Sequence, residues 1–189
     1  MSRVIVIEFL SLDGVMQDPD GREGTRQGGW AFRYGPEAVA GDKFALGEVL
    51  DTGTMVLGRR TWELFAKIWP GRDDPFSRKM NAMPKLVVSR SLAQADGWQN
   101  STVLPGDLVA AVRERKRTRD ITVTGSAGVV RTLMANDLVD EYRLIVFPLV
   151  LGEGTRLFPE GSAAVNLALV SAETVGPAVR LTYSRGGNR

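Results

Sequence analysis

The sequence contains no cysteine and no histidine. Without cysteine there is no disulfide frame, no thiolate nucleophile and no cysteine-ligated zinc or iron–sulfur site. Without histidine a Ser-His-Asp triad, a histidine-ligated metal and imidazole acid–base chemistry are excluded, so no metal site is expected. Proton transfer is left to Asp, Glu, Lys, Tyr, water or a cofactor. Long apolar runs are missing too. The opening Val4-Ile5-Val6-Ile7 meets a carboxylate at Glu8, which is not a signal peptide. The best later run, Leu144 to Leu151, holds Pro148 and falls far short of a membrane span. The cytoplasm is the expected compartment, with no membrane partner.

Charge of one sign is scarce as well. Lys and Arg number 24 against 22 Asp and Glu, a net +2, too little to imply a polyanion partner. The cluster Arg113-Glu114-Arg115-Lys116-Arg117 with Arg119 reads as a solvated helix end, and no nucleic-acid partner is expected. The 189 residues suit one domain that can bury a full core. That domain is expected to span residues 1–185, with a frayed tail at 186–189.

Strands and helices alternate along the chain. Val4 to Phe9 reads as a buried strand, Met55 to Leu57 and Lys85 to Ser89 as two more, and Ile121 to Thr124 as a fourth. Thr102 to Leu104 adds a short one. Pro36 predicts a helix running to about Leu50, weakened by Gly41 and Gly47, with Phe44 on its apolar side. Arg59 to Ile68 and Val129 to Ala135 are also helical, and Asp107 is a plausible N-cap for a helix through Arg115. The polar stretch from Asp73 to Met83 is expected to hold a loose helical turn. Glu141 to Leu151 is strand-like, with Pro148 demanding a bulge or an edge. Ala168 to Thr174 and Ala178 to Ser184 flank Gly176-Pro177 as a closing antiparallel hairpin. The long connection from Ser11 to Tyr34, rich in Gly, Asp and Arg, is either functional or mobile.

Three strand ends share a chemistry. Leu57 leads into Gly58-Arg59-Arg60-Thr61, Val88 into Ser89-Arg90, and Thr124 into Gly125-Ser126-Ala127-Gly128. In an open α/β sheet, ligands bind beyond the carboxyl ends of the strands. Glycine there lets backbone approach a phosphate, the free N–H groups of the following helix hold it, and Arg adds bidentate contacts. The full GxGxxG spacing is absent, so no Rossmann fingerprint is present. Each motif alone also fits a tight turn with solvated charges; their force is in occurring together.

Taken in order, these segments resemble a known superfamily. Met55-Val56-Leu57-Gly58-Arg59-Arg60-Thr61-Trp62-Glu63 is similar to the strand–GRxTxE–helix signature of dihydrofolate reductases, Lys85 to Arg90 to their next strand with its phosphate-binding Ser, and Ile121 to Val130 to their Gly-rich loop. Ser11-Leu12-Asp13-Gly14, Gly29-Trp30, Asp137 to Glu141 and Pro148 to Pro159 narrow the resemblance to stand-alone reductases similar to the C-terminal domain of the bifunctional riboflavin-pathway deaminase/reductase. With no deaminase segment ahead of it, the chain is expected to be such a stand-alone protein.

The resemblance implies a three-layer α/β/α fold, a mostly parallel central sheet of about eight strands with a C-terminal antiparallel hairpin. It implies NADPH as cofactor, gripped by Leu57, Gly58, Arg59, Arg60 and Thr61, by Ser89 and Arg90 at the ribose phosphate, and by Gly125, Ser126, Ala127, Gly128 and Val129 at the pyrophosphate and nicotinamide ribose. The activity implied is hydride transfer to a small heterocyclic (pteridine- or pyrimidine-like) or carbonyl substrate. The alternatives are 5-amino-6-(5-phosphoribosylamino)uracil reductase or dihydrofolate reductase activity, and a non-catalytic NADPH-binding module. Asp13 and Glu153 are the catalytic candidates by the same resemblance; Asp13 fits equally as a turn-former and Glu153 as a loop carboxylate. Trp30, with Phe32 and Tyr34, either lines a flat pocket or packs a long loop. Asp42 is either a substrate-facing carboxylate or a surface charge. Arg26, Arg33 and Arg156 are candidates for a substrate phosphate, or solvated. A homodimer pairing through the Leu144 to Leu151 strand and the terminal hairpin is expected from the same likeness.

Overall fold

The computed structural model describes residues 2–40 and 46–186. In chain order the elements are β1 (Val4–Ser11), a short 3-10 helix (Ala31–Tyr34), α1 (Pro36–Ala40), α2 (Val49–Thr52), β2 (Thr54–Gly58), α3 (Arg59–Ala66) and α4 (Pro75–Ala82). Then follow β3 (Lys85–Val88), β4 (Ser101–Val103), α5 (Leu108–Arg115), β5 (Ile121–Val123), α6 (Ala127–Ala135), β6 (Glu141–Phe147), β7 (Leu167–Val175) and β8 (Ala178–Arg185). Hydrogen bonding orders the strands β4-β3-β2-β5-β1-β6-β8-β7. The chain divides into two compact units, each discontinuous in sequence: Met1–Ile5 with Leu46–Leu138, and Val6–Ala45 with Val139–Arg189.

The first unit is built on parallel pairing. β2 runs parallel to β3 and β5, and β3 parallel to β4. All five residues of β2 and all three of β5 are buried. That is why these segments read as unbroken apolar or β-branched runs rather than alternating ones. Each fully buried Val, Ile or Leu contributes roughly 1.5–3 kcal/mol. α4 is a full helix where only a loose turn was expected. The Asp74 carboxylate accepts from the Phe76 and Ser77 amides, at 3.1 and 3.2 Å, and Pro75 occupies the first turn.

The second unit is antiparallel. β8 pairs with β6 on one side and β7 on the other. Its core gathers Phe9, Trp30, Ala31, Ala38, Val39, Ile145, Phe147 and Ala178. The rings of Phe9 and Trp30 each meet Phe147 edge-on at 5.5 Å. β6 stops at Phe147 because Pro148 has no N–H for the ladder. β6 also lies inside the sheet, between β1 and β8, so Leu144, Ile145 and Phe147 are buried within the chain. The edge strand is β7, not the Leu144 to Leu151 segment.

The helix expected from Pro36 to Leu50 is not continuous. α1 ends at Ala40 and α2 begins at Val49, with Gly47 at φ +56° between them. Gly41, Asp42 and Phe44 lie outside the described residues. The long connection after β1 is ordered around Asp18. Its buried carboxylate accepts from the Glu23 amide (2.9 Å), the Thr25 amide (2.8 Å) and the Thr25 hydroxyl (2.7 Å), and its carbonyl accepts from the Gly29 amide at 3.0 Å. Gly28 packs so tightly against that carboxylate that a Cβ there would collide with it.

Candidate functional site

In the first unit, β2, β3 and β5 end side by side. Gly58, the last residue of β2, stands opposite Val88 on β3, so Ser89 leaves its strand level with the start of α3. The Gly58 amide donates to the Gly125 carbonyl at 3.2 Å. One residue further on, the hydroxyls of Thr61 and Ser126 lie 3.1 Å apart. A Cβ on Gly58 would run into the Ser126 side chain, and one on Gly125, at φ +77°, would fall 2.8 Å from Thr61 Oγ1. Glycine is therefore required at both positions by contact, and at Gly125 by backbone conformation as well. The Gly125-Ser126 peptide is cis.

Two helices begin at this rim, and their first turns are left open. α3 has Gly58 and α6 has Ser126 as N-cap, neither with a side-chain cap, and neither first turn holds an acidic residue. α4 and α5, by contrast, are closed by Asp74 and Asp107. Uncapped N–H groups at the positive end of a helix form an anion-binding surface. Arg59, Arg60 and Arg90 are exposed around it, with Arg59 paired to Glu63 one turn along at 3.3 Å. The Ser89 hydroxyl oxygen accepts from the Ser91 and Leu92 amides at 3.2 and 2.9 Å, which leaves its own proton to donate. Leu57 and Val129 are buried, Ala127 is half-buried and Gly128 is exposed.

In the second unit, Asp13 is a clasp. Its carboxylate accepts from the Ser11 hydroxyl (2.7 Å) and the amides of Leu151 (3.0 Å) and Gly152 (2.9 Å), and pairs with Arg156 at 3.3 Å. Partial desolvation would raise its pKa, but the Ser11 hydroxyl and the two amides outweigh that and hold the carboxyl well below the usual carboxylate range. Asp13 is thus ionised at neutral pH and joins the turn after β1 to the loop after β6. Trp30 is fully buried, its N–H donating to the Gln17 carbonyl at 2.8 Å. Phe32 is exposed, and Tyr34 packs on Phe147.

Glu153 stands at the wall of an open cavity of about 620 Å³ shared with Arg26, Gln27, Arg33, Leu151 and Gly152. A smaller cavity of about 250 Å³ adjoins it, with Val15, Gln17 and Trp30 added to the wall. Gln27 was not singled out by sequence, yet its side-chain amide donates to the Leu151 carbonyl (3.0 Å) and to Glu153 (3.3 Å). A lone amide in a polar loop carries no periodic signal. Among the described residues no group of three or more His, Cys, Asp or Glu side chains is placed to hold a metal ion, and no helix is long and apolar enough to cross a membrane.

Solved structures share this fold. A protein from Shewanella sp. PV-4, described as a riboflavin biosynthesis protein, superposes with a TM-score of 0.71 at 21% identity, covering 98% of this chain and 99% of that one. A pyrimidine reductase-like protein of Corynebacterium diphtheriae follows at 0.68 and 13% identity, over 99% and 93%. A deaminase/5-amino-6-(5-phosphoribosylamino)uracil reductase of Thermotoga maritima superposes at 0.64 and 13% identity, over 98% of this chain and 57% of that one. The expected sheet, mostly parallel with a C-terminal antiparallel hairpin, is the one found. In sequence, the protein YyaP of Bacillus subtilis (strain 168) is 31% identical over 143 residues, 71% of this chain and 74% of that protein. With the RibD C-terminal domain matching residues 2–181, nearly end to end, the chain belongs to the RibD C-terminal domain family.

Proposed function

We propose that this chain is a cytoplasmic NADPH-dependent reductase acting on a small heterocyclic (pteridine- or pyrimidine-like) or carbonyl compound. One observation carries the reading: two uncapped helix N-termini meet at the ends of parallel strands, and the glycines between them have no room for a Cβ. Family membership and the reductase-like names of the fold neighbours support it.

The residues fit a dinucleotide phosphate. The first-turn amides of α3 with Arg59, Arg60 and Thr61 would hold one part of the pyrophosphate, and the backbone of Gly125 to Val129 the other. Ser89 and Arg90 offer an O–H donor and a guanidinium fork, which suit a 2′-phosphate; a ribose diol usually recruits a carboxylate instead. When bound, the cofactor supplies the hydride, so the chain's own task is binding and orientation. Asp13 holds the loop that carries Glu153. Glu153, at the cavity wall, is the catalytic candidate there, a carboxylate able to accept a hydrogen bond from a ring N–H of the substrate.

The test is a titration with NADPH and with NADH, followed by absorbance at the nicotinamide band with pteridine, pyrimidine and quinone-type candidates. NADPH is expected to bind more tightly. Arg90→Ala should weaken NADPH about tenfold while leaving NADH nearly unchanged. Equal losses for both cofactors would remove Arg90 from the 2′-phosphate.

A homodimer is part of the same reading. β7 is an edge strand, paired among the described residues with β8 alone, and Leu169 and Val170 on it are exposed. Light scattering should give twice the chain mass, and Leu169→Lys should bring it down to one. A wild-type chain that scatters as a single copy would end the dimer.

A further inference from the structure

We propose that Gln27 is the positioning residue for Glu153: its side-chain amide holds one oxygen of that carboxylate and leaves the other to meet the substrate. The part given to Glu153 rests on the reductase reading, whereas the contact itself stands on the geometry of the second unit.

The loop that carries Glu153 is fastened on both sides of this residue, and only at its backbone. Before it, the amides of Leu151 and Gly152 donate to the Asp13 carboxylate at 3.0 and 2.9 Å. After it, the Thr155 amide donates to Gln17 Oε1 at 3.1 Å, and the Thr155 carbonyl accepts from the Met16 amide at 2.8 Å. None of these bonds fixes the Glu153 side chain, which is exposed and turns about several single bonds. Gln27 does so, from 126 residues away in sequence. Its Nε2 donates to the Leu151 carbonyl at 3.0 Å and to Glu153 Oε1 at 3.3 Å. Two acceptors at one end of the amide settle which end is nitrogen, and they engage both of its N–H groups. One N–H is thereby anchored to a fixed carbonyl while the other sets where the carboxylate oxygen lies.

Gln27 is itself braced. The Gly28 amide closes a turn onto the Thr25 carbonyl at 3.0 Å, and the buried Asp18 carboxylate holds the Thr25 end of that turn. From the other side Arg33 Nη2 donates to the carbonyls of Gln27 and Gly28, at 3.3 and 3.2 Å.

The choice of a neutral donor has a chemical consequence. Arg26 and Arg33 line the same cavity as Glu153, yet among the described residues neither pairs with it. A guanidinium fork on this carboxylate would neutralise it and cover both oxygens. A single amide N–H takes one lone pair and leaves the charge in place. Oε2 has no partner among the described residues, so it remains the acceptor for an N–H of the ligand.

The experiment joins a spectroscopic reading of the contact to a kinetic reading of its use, both on the full chain. The two Gln27 side-chain amide protons, assigned through the carbons of that side chain, are compared between wild type and Glu153→Ala. One is expected to move upfield as it loses the carboxylate, and the one on the Leu151 carbonyl to stay; two unmoved protons would overturn the proposal. Kinetics follow NADPH oxidation with pteridine, pyrimidine and quinone-type compounds. Gln27→Met, which lacks both N–H donors, should lower kcat/KM about tenfold in the wild-type background and less than about twofold in Glu153→Ala. The same loss in both backgrounds would make Gln27 a strut acting through Leu151 alone and would overturn the proposal. The two readings fail separately. A Gln27→Met chain that reduces a substrate as fast as wild type ends the positioning role and keeps the reductase. A wild type that reduces none of these compounds ends the reductase, and this role with it.

Discussion

Gly58→Ala is expected to weaken NADPH binding by more than about tenfold and to lower stability by roughly 1–3 kcal/mol, a single methyl group acting through overpacking. The backbone is not the obstacle: Gly58 sits at φ −69°, ψ 155°, which any residue adopts. The obstacle is Ser126. The new Cβ would run into its hydroxyl, lie 2.8 Å from its Cβ and 3.0 Å from its backbone nitrogen. The hydroxyl can rotate away, but the Cβ and nitrogen move only if the start of α6 moves. That shift would pull Ser126 from Thr61 and displace the first turns of α3 and α6 together, the two to which the proposed function assigns the cofactor's phosphates. Ser126→Gly in the same chain removes the hydroxyl and the Cβ, and should restore most of the lost stability. Alone it should cost only about 1 kcal/mol, the worth of the Thr61 hydrogen bond. Gly125→Ala should not be rescued in this way, because its strain lies at φ +77° and against Thr61. Urea unfolding with a fluorescence titration of NADPH checks the three single variants and the two double ones. Wild-type affinity in Gly58→Ala would mean that this rim is not where the cofactor binds.

The sequence is legible where local chemistry decides structure. The β-branched runs of β1, β2 and β5 marked strands, and Asp107 marked the start of α5. At Gly58 and Gly125 it offered a phosphate cradle or a tight turn, and the close approach of Ser126 and Thr61 that bars a Cβ there is visible only in the fold. It was less legible where the deciding partner is far along the chain. Asp13 finds its acceptor role in the amides of Leu151 and Gly152, 138 and 139 residues away, and nothing in Ser11-Leu12-Asp13-Gly14 announces them. Trp30 read as pocket or packing with equal force, and only the fold shows it fully buried with Phe147 edge-on to its ring. Leu144 to Phe147 looked fit for an edge, and only strand order could place it inside. Asp18 and Gln27 went unnoticed because turn residues and amides follow no period, although they brace the loop that carries the arginines.

Lys85→Met should lower stability by about 3 kcal/mol near neutral pH, with a pH dependence that identifies the cause. Lys85 opens β3, the strand that ends at Ser89 and Arg90, and is almost wholly buried. Its Nζ donates to the carbonyls of Asn81 (3.0 Å), Met83 (2.7 Å) and Gln99 (3.0 Å) and lies 4.2 Å from the Trp98 ring centre. Three carbonyls require three N–H donors, which only an ammonium has; the Trp98 face favours the same form. Burial acts the other way and pushes the pKa down, to about 7 from 10.5. Methionine is one heavy atom shorter than lysine and replaces none of its bonds. The Asn81 carbonyl keeps the Asn100 amide at 3.0 Å, while those of Met83 and Gln99 lose the Lys85 donor. The sign of the pH effect follows from the two states. Below about 7 Lys85 is charged in both, and the penalty of burying the charge is at its fullest. Between about 7 and 10.5 the unfolded chain binds a proton that the folded one releases, so the wild type gains stability as pH rises. Met does not titrate, so the gap between wild type and variant should widen across that window. Urea unfolding at about pH 6, 8 and 9.5 measures it. A gap that stays constant would show that the three carbonyls hold the proton on throughout. A variant as stable as the wild type would show that burying the charge costs as much as the three bonds return.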